Sequence, residues 1–155
     1  MALFAKYNPA PVFRFDKDGN ILQANYAAEE TFSEILSQKG KAFKMIKGID
    51  QDQVEKCIQD GDILSLVENV NGRNFRFEMR GIPELNVMQV YGADITEIVE
   101  TQFENEKLST AVSQTSNSVM ITDLKGNIEF VNGAFELKSG YKREDVIGKN
   151  PRILK

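Results

Sequence analysis

The sequence predicts an α+β fold in which a five-stranded antiparallel sheet carries its helices on one face, followed by a linker helix and the start of a second unit. The patterns along the chain run in the order two strands, a helical stretch, three strands. A long segment also repeats, since VFRFDKDGNILQANYAAE from Val12 returns as VMITDLKGNIEFVNGAFE from Val119. Because such self-similarity marks a repeated unit, we expect a complete first domain at residues 1–95, an amphipathic linker helix at 96–114 and a truncated second domain at 115–155.

A β-hairpin is expected at the start of the first unit. Apolar residues alternate from Val12 to Phe15, the segment Asp16–Asn20 has the composition of a turn, and Ile21–Ala24 follows as the second strand. Asn25 is of a type that caps helices. A helix of about three turns is then predicted from apolar residues at helical spacing, namely Ala27, Ala28, Phe32, Ile35 and Leu36.

The middle of the unit is predicted to be irregular between Gly40 and Asp62, apart from one short helix. That helix is expected over residues 53–59, because its apolar side chains fall on one face. These side chains are Val54, Cys57 and Ile58.

Three strands are expected to complete the first sheet. Residues 63–70 and 74–80 are joined by Asn71-Gly72, the strongest short signal for a hairpin. The second of these strands should direct Phe75, Phe77 and Met79 toward the core. Gly81 and Pro83 are expected to end that strand. Residues 85–93 carry apolar side chains in both phases, which predicts a strand in the middle of the sheet.

Composition excludes several classes of chemistry. The chain has no histidine, so a Ser-His-Asp triad, histidine-bound zinc and histidine-ligated haem are excluded within it. Its 19 basic and 23 acidic residues are interspersed, with a net charge of −4, so contact with nucleic acid or with a membrane is not expected. Its one cysteine, Cys57, forbids an internal disulfide. Without an apolar run of transmembrane length, we expect a soluble, cytoplasmic protein.

The linker between the two repeats is rich in Glu and Lys and is predicted to be an amphipathic helix. We expect the protein to form a homodimer through this helix, through the outer face of the sheet, or through both. The apolar residues of the linker are Ile95, Ile98, Val99, Phe103, Leu108, Ala111 and Val112.

These motifs, in this order, resemble those of the PAS family of sensory domains. The first copy carries Gly19-Asn20-Ile21 and ends in Asp94-Ile95-Thr96 before a charged helix, and the second carries Asn132-Gly133-Ala134-Phe135 followed by Gly148-Lys149-Asn150-Pro151. The resemblance implies a tandem repeat of a bacterial sensor. Such a module senses a small ligand or a partner and passes a conformational signal through an exit helix to an output domain, such as a two-component histidine kinase or a cyclic-dinucleotide enzyme.

The resemblance also implies a pocket between the sheet and the helices. Residues of these types more often form a plain hydrophobic core, and in that case the module is a ligand-free interaction and dimerisation unit. If Gln89 faces inward, its amide needs a partner. The candidate pocket residues are Phe13, Phe15, Phe32, Phe43, Met45, Cys57, Ile58, Phe75, Phe77, Met79, Val87 and Gln89.

The sequence does not identify a cofactor, and the chain could also bind none. Light-sensing relatives form a flavin adduct with a cysteine in Gly-x-Asn-Cys-Arg, whereas this chain has Pro151 at that place, so no such adduct is expected. Cys57 could ligate or react, or be a small hydrophobic residue. No metal site is expected.

Asp94, Ile95 and Thr96 are the expected signal relay, because Asp94 can fix the junction between the last strand and the exit helix by accepting hydrogen bonds. Asp94 could equally be a simple helix cap, and the two roles are compatible. Catalysis by paired acids is not expected, since Asp16 with Asp18 and Asp60 with Asp62 have turn composition. The chain itself is therefore expected to be non-catalytic.

Overall fold

The computed structural model describes residues 7–33 and 42–154, which divide between Val99 and Glu100 into two compact units. None of the helices within these residues has the length and apolar character that a bilayer crossing requires.

The first unit is built on one antiparallel sheet of five strands. These are β1 (Val12–Phe15), β2 (Ile21–Ala24), β3 (Ile63–Val70), β4 (Arg73–Ile82) and β5 (Val87–Asp94). Their order across the sheet is β2-β1-β5-β4-β3, and every neighbouring pair is antiparallel. The last strand therefore lies in the centre of the sheet, as its two apolar phases predicted.

The turn between β3 and β4 has the geometry that its sequence predicted. Asn71 has φ 52° and Gly72 has φ 81°, so both turn residues adopt the left-handed conformation that a two-residue hairpin of type I′ requires. Val70 pairs directly with Arg73 across this turn.

Three described helices of the first unit lie between β2 and β3. They are α1 (Tyr26–Thr31), α2 (Ala42–Met45) and α3 (Gln51–Asp60). Asn25 caps α1 by accepting the N–H of Ala28. The remainder of the predicted three-turn helix, with Ile35 and Leu36, lies outside the described residues.

Helix α3 is longer than the predicted segment 53–59. It begins after Asp50, which forms a reciprocal capping box with Gln53, and it ends at Gly61 in the left-handed conformation with φ 71°. The predicted irregular stretch also contains α2, a single turn with Ala42 and Met45 buried.

Strand β4 does not end at Gly81, contrary to the sequence prediction. Gly81 pairs with Met88 inside the sheet, and its N–H donates to the carbonyl of Asp62 at 3.0 Å. A Cβ on Gly81 would lie 1.9 Å from the carbonyl oxygen of Cys57. Glycine is therefore required because α3 crosses β4 at backbone contact distance, rather than because the strand breaks.

Strand β5 starts at Val87, two positions after the predicted start. Pro83–Leu85 forms a short 3-10 turn, and Asn86 closes it in the left-handed conformation with φ 53°. The break therefore comes after Ile82.

Helix α4 (Thr96–Gln114) is the predicted linker, but its apolar side chains do not form one stripe. None of its residues is buried, and Ile98, Phe103 and Leu108 are 57%, 56% and 65% exposed. These three residues are spaced five apart, which places successive side chains about 140° apart around a helix. The expectation of an amphipathic linker is therefore wrong in this respect, because the apolar residues face several directions.

The second unit contains β6 (Met120–Thr122) paired with β7 (Ile128–Val131), followed by α5 (Gly133–Ser139), α6 (Arg143–Val146) and a 3-10 turn at Pro151–Ile153. Its buried core is small. The core consists of Ile128, Val131, Phe135 and Val146, with Tyr141 and Leu154 packed against it.

Candidate functional site

Most of the predicted pocket residues lie together between the sheet and the helices of the first unit. They belong to one buried cluster, with Phe43 partly buried against it. The predicted residues inside this cluster are Phe13, Phe15, Phe32, Met45, Cys57, Ile58, Phe75, Phe77 and Met79.

Val87 and Gln89 do not line this cluster, which corrects the sequence prediction. Phe13 pairs with Val90 and Phe15 pairs with Met88, so the alternate residues of β5 face the core. Val87 and Gln89 therefore point to the opposite face of the sheet. Because β5 is apolar in both phases, only its pairing with β1 reveals that Met88 and Val90 are the lining residues.

Gln89 has a partner on the outer face of the sheet. Its side-chain oxygen accepts from Nε and Nη2 of Arg14 at 2.9 and 2.7 Å, and its amide donates to the hydroxyl of Tyr91. Gln89 faces outward, so the condition under which the sequence required a buried partner for its amide is not met.

Aromatic rings fill much of the cluster and contact each other. Phe32 meets Phe75 edge to face with ring centroids 5.1 Å apart, and it lies 6.0 Å from Phe77. Phe13 contacts Phe77 at 6.3 Å, also edge to face. Such pairs contribute about 0.5–1.5 kcal/mol each beyond the burial of their area. The cluster therefore offers apolar and aromatic contacts.

Cys57 is the one titratable side chain among the described residues of this cluster. Its Sγ donates to the carbonyl of Asp62 at 3.1 Å, and burial raises the pKa of the thiol above its ordinary value. The sulfur is therefore a protonated, packed atom at neutral pH, which matches the reading of Cys57 as a small hydrophobic residue.

A second group of residues joins the sheet to α4. Asp94 Oδ1 accepts from the backbone N–H of Thr96 at 2.9 Å and from its hydroxyl at 2.6 Å. The hydroxyl oxygen of Thr96 in turn accepts from the N–H of Asn74 at 2.8 Å, and the N–H of Ile95 donates to the carbonyl of Asn74 at 2.8 Å. We call Arg73, Asn74, Asp94, Ile95 and Thr96 the junction.

The electrostatics of the junction favour a charged Asp94. The hydroxyl and N–H of Thr96 lower the pKa of Asp94 below its ordinary value, and the adjacent Arg73 lowers it further. Arg73 donates to Oδ2 of Asp94 and forms an ion pair with it. The junction therefore fastens the start of β4, the end of β5 and the start of α4 to one another.

The acidic turns act as the turn reading predicted. Asp16 accepts the N–H groups of Asp18 and Asn20, and Asp123 does the same for Lys125 and Asn127. The described part of the chain contains no group of three or more acidic or cysteine side chains placed to hold a metal ion.

Sequence reasoning noted the repeated asparagines Asn25 and Asn132 but assigned only Asn25 a role, as a cap. Within residues 7–33 and 42–154 these two are the buried polar side chains, 1% and 2% exposed. Because Asn25 and Asn132 occupy the same position in the two copies of the repeat, the sequence could have indicated that they share a structural role.

Comparison with known proteins gives the following matches. Family models described as PAS domain match residues 5–71 and residues 116–155. Among solved structures, the PAS domain from Bordetella pertussis BvgS is similar to the chain at 18% identity, with 67% of this chain and 86% of that chain covered and a TM-score of 0.37. No curated protein sequence matches the chain.

Proposed function

The chain belongs to the PAS domain family, and from this premise we propose that it is a sensory and regulatory module that relays a conformational signal from the first unit through α4 to a downstream output domain. The output class that we propose is a histidine kinase or a cyclic-dinucleotide enzyme of a bacterial, cytoplasmic signalling protein. PAS domains are generally regulatory and non-catalytic, and we propose the same for this chain.

The observation that carries the proposal is the junction. Asp94 and Thr96 connect the central strand β5 to the first turn of α4, and Asn74 and Arg73 connect both to β4. A change in the sheet that moves β4 against β5 must therefore either move the start of α4 or break these hydrogen bonds. A two-state element of this kind is what a switch requires.

The input that we propose is a small apolar or aromatic ligand, or a partner, acting on the cluster under the sheet. Its support is the concentration of phenylalanine rings on the face of the sheet that carries Asp94 at its end. Displacement of a ring such as Phe75 would act directly on β4, where Phe75 pairs with Asp94.

A second candidate is a ligand-free interaction module, and the ring contacts of the cluster favour it. Phe75 and Phe77 stack at 5.9 Å, and Phe32 lies against both. Native mass spectrometry of the purified chain distinguishes the candidates, since a sensor should release a bound small molecule on denaturation. A mass equal to that of the bare chain, with no added species after incubation with apolar metabolite extracts, would favour the second candidate.

The relay is tested by hydrogen exchange on the Asp94→Ala variant. The N–H of Val99 donates to the carbonyl of Ile95 at 3.0 Å in the first turn of α4, and we expect its exchange to become about tenfold faster in this variant. The N–H of Gly92, which donates to Pro11 at 2.8 Å within the sheet, should keep its protection.

The matched control is Asp50→Ala, which removes an aspartate that caps α3 in the same unit. It should speed the exchange of Val54 in the first turn of α3, whose N–H donates to the backbone carbonyl of Asp50 at 3.1 Å, and leave Val99 unchanged. Equal exchange of Val99 in wild type and Asp94→Ala would contradict the relay.

A further inference from the structure

The two buried asparagines of the repeat hold four backbone groups each. Asn25 Oδ1 accepts from the N–H 13 residues before it and from the N–H 3 residues after it, and Asn132 Oδ1 accepts at the same two spacings. Each Nδ2 also donates to the carbonyl 15 residues before it. Three of the four contacts are therefore identical in the two units.

The fourth contact differs between the units. Nδ2 of Asn25 donates to the carbonyl of Asn8, 17 residues earlier, in a segment without regular structure, at 3.1 Å. Nδ2 of Asn132 donates instead to the carbonyl of Val112, 20 residues earlier, at 3.0 Å. Val112 lies in the last turn of α4, so this one contact reaches the linker helix.

The carbonyl of Val112 is a group that needs an external donor. The last carbonyls of an α-helix have no N–H further along the helix to bind. Thr115 donates to Ala111 at 3.1 Å, and the amide of Asn132 donates to Val112. The same Asn132 amide donates to the carbonyl of Asn117 at 2.9 Å, while its oxygen accepts from Val119, the residue before β6, and from Phe135 in α5.

We propose that Asn132 is a positioning residue that fastens the C-terminal end of α4 to β6 and α5 of the second unit. We call this set of four hydrogen bonds the joint. A side-chain amide has two donors and one oxygen that accepts two bonds, and all four are used here. A displacement of the end of α4 therefore pulls on the connecting segment, β6 and α5 at once. Asn25 makes the same joint to an irregular segment and is its internal reference. This inference rests on the proposed function, in which α4 carries the signal.

The simpler role for Asn132 is a cap of α5, and the Asn132→Asp variant separates the two roles. Aspartate caps helices as well as asparagine does, so the bonds to Phe135 and Val119 can persist. It has no amide donors, however, and its second oxygen would face the carbonyls of Val112 and Asn117. Asn25→Asp is the matched control, since it makes the same change at a joint that holds no part of α4.

The readout is residue-resolved hydrogen exchange on the whole chain. In Asn132→Asp we expect the amide of Thr115 to exchange about tenfold faster or more, while Gly140, which donates to Glu136 at 2.9 Å in α5, stays protected. Asn25→Asp should leave Thr115 unchanged. The proposal is overturned if Thr115 keeps its exchange rate in a folded Asn132→Asp chain, or if Asn25→Asp loosens it equally.

If Asn132→Asp unfolds the second unit, Asn132→Ser retains a neutral cap without the amide and is held to the same two outcomes. The wild-type chain gives an independent measurement. Thr115 should open with the same denaturant dependence as Ile128, whose N–H donates to Lys149 at 2.9 Å within the second unit. Exchange of Thr115 by fraying, with no denaturant dependence, would overturn the joint.

Combining this variant with Asp94→Ala distinguishes the two proposals. Asp94→Ala should alter the exchange of Val99 whether residue 132 is asparagine or aspartate. It should alter the exchange of Ile128 only in the chain that keeps Asn132. An unaltered Val99 would contradict the relay at the junction. If the exchange of Val99 is altered, the proposed role of Asn132 is overturned by either of two results. One is an equal change in the exchange of Ile128 with and without the Asn132 amide, and the other is no change of Ile128 in either chain.

Discussion

Individual side chains set the contacts at both ends of the helix between the units. Asp94 and Thr96 hold its first turn, and the amide of Asn132 holds a carbonyl of its last turn. The sequence indicated Asp94 through its place before Ile95 and Thr96. It did not indicate the partners Arg73 and Asn74, because they come from the start of β4 and are brought to Asp94 only by the pairing of β4 with β5.

The protonation of Asp94 should control the junction. Its pKa is lowered, chiefly by the two hydrogen bonds from Thr96. A lowered pKa means that Asp94 stabilises the fold above the ordinary pKa of an aspartate, and that this stability is lost as the pH falls through the lowered value. We therefore expect wild type to exceed Asp94→Asn in stability at neutral pH, and the difference to vanish in acid, as measured by denaturant unfolding at several pH values.

The cause of this shift can be checked by NMR titration of the Asp94 carboxyl group. Thr96→Val removes the hydroxyl donor, which is the largest single cause, and should raise the pKa of Asp94. Arg73→Ala removes a hydrogen bond and an ion pair and should raise it as well. A larger effect from Arg73→Ala would show that the ion pair, rather than the hydrogen bonds of Thr96, sets the charge.

Gly81→Ala should be among the most damaging single changes in the first unit. The added Cβ would meet backbone atoms of Cys57 and Ile58 at 1.9–2.7 Å, and these cannot move aside without shifting α3. We expect a loss of about 3 kcal/mol or more in the free energy of unfolding.

The control for this substitution is Gly72→Ala, at the hairpin turn. A Cβ there meets nothing within 4 Å, and only the left-handed φ of 81° is unfavourable. It should cost about 1 kcal/mol. A Gly81→Ala chain as stable as Gly72→Ala in urea unfolding would show that α3 can retreat from β4.

At the scale of elements, sequence reasoning succeeded where local chemistry decides. The hairpin turn, the five strands and the central place of β5 follow from turn residues and from apolar alternation. It failed where tertiary contact decides. Gly81 was predicted to end a strand, whereas its actual role is to admit the backbone of α3, and that contact cannot be read from the sequence. The sequence also left undecided which face of the sheet Gln89 occupies, because both phases of β5 are apolar.

The self-association that we propose for α4 follows from its unburied apolar residues. Phe103 is exposed apart from the ammonium of Lys107, which lies 4.2 Å from its ring centroid. If a second copy covers this ring, Phe103→Glu should weaken dimerisation about tenfold or more, as measured by sedimentation equilibrium. Thr101→Glu adds the same charge on the same helix and should have little effect. Equal association of all three chains would place any dimer contact elsewhere, such as the outer sheet face with Ile63, Val67 and Tyr91.

At the scale of the molecule, each unit has a core of its own. The first is the large cluster that contains Phe77, and the second is the small cluster that contains Phe135. The sequence repeat predicted this division, since two copies of one motif need two sets of buried side chains.

Separate cores predict separate losses of stability. Phe77→Ala removes a ring with three ring contacts and should destabilise the first unit by about 3–5 kcal/mol, while the amide of Gly140 in α5 of the second unit keeps its protection. Phe135→Ala is the reciprocal variant and should leave Gly92 protected. Simultaneous loss of protection in both units, by hydrogen exchange in either variant, would show that they unfold together.

The two-stranded sheet of the second unit has a practical consequence for samples of this chain. In the first unit β1 is covered by β2 on one side and by β5 on the other, whereas β6 pairs with β7 alone among the described strands. The N–H and C=O groups of Met120–Thr122 that point away from β7 are a template for another chain. Concentrated solutions should therefore form strand-swapped or edge-paired oligomers that are distinct from any helical dimer, and a proline at Ile121 should suppress them.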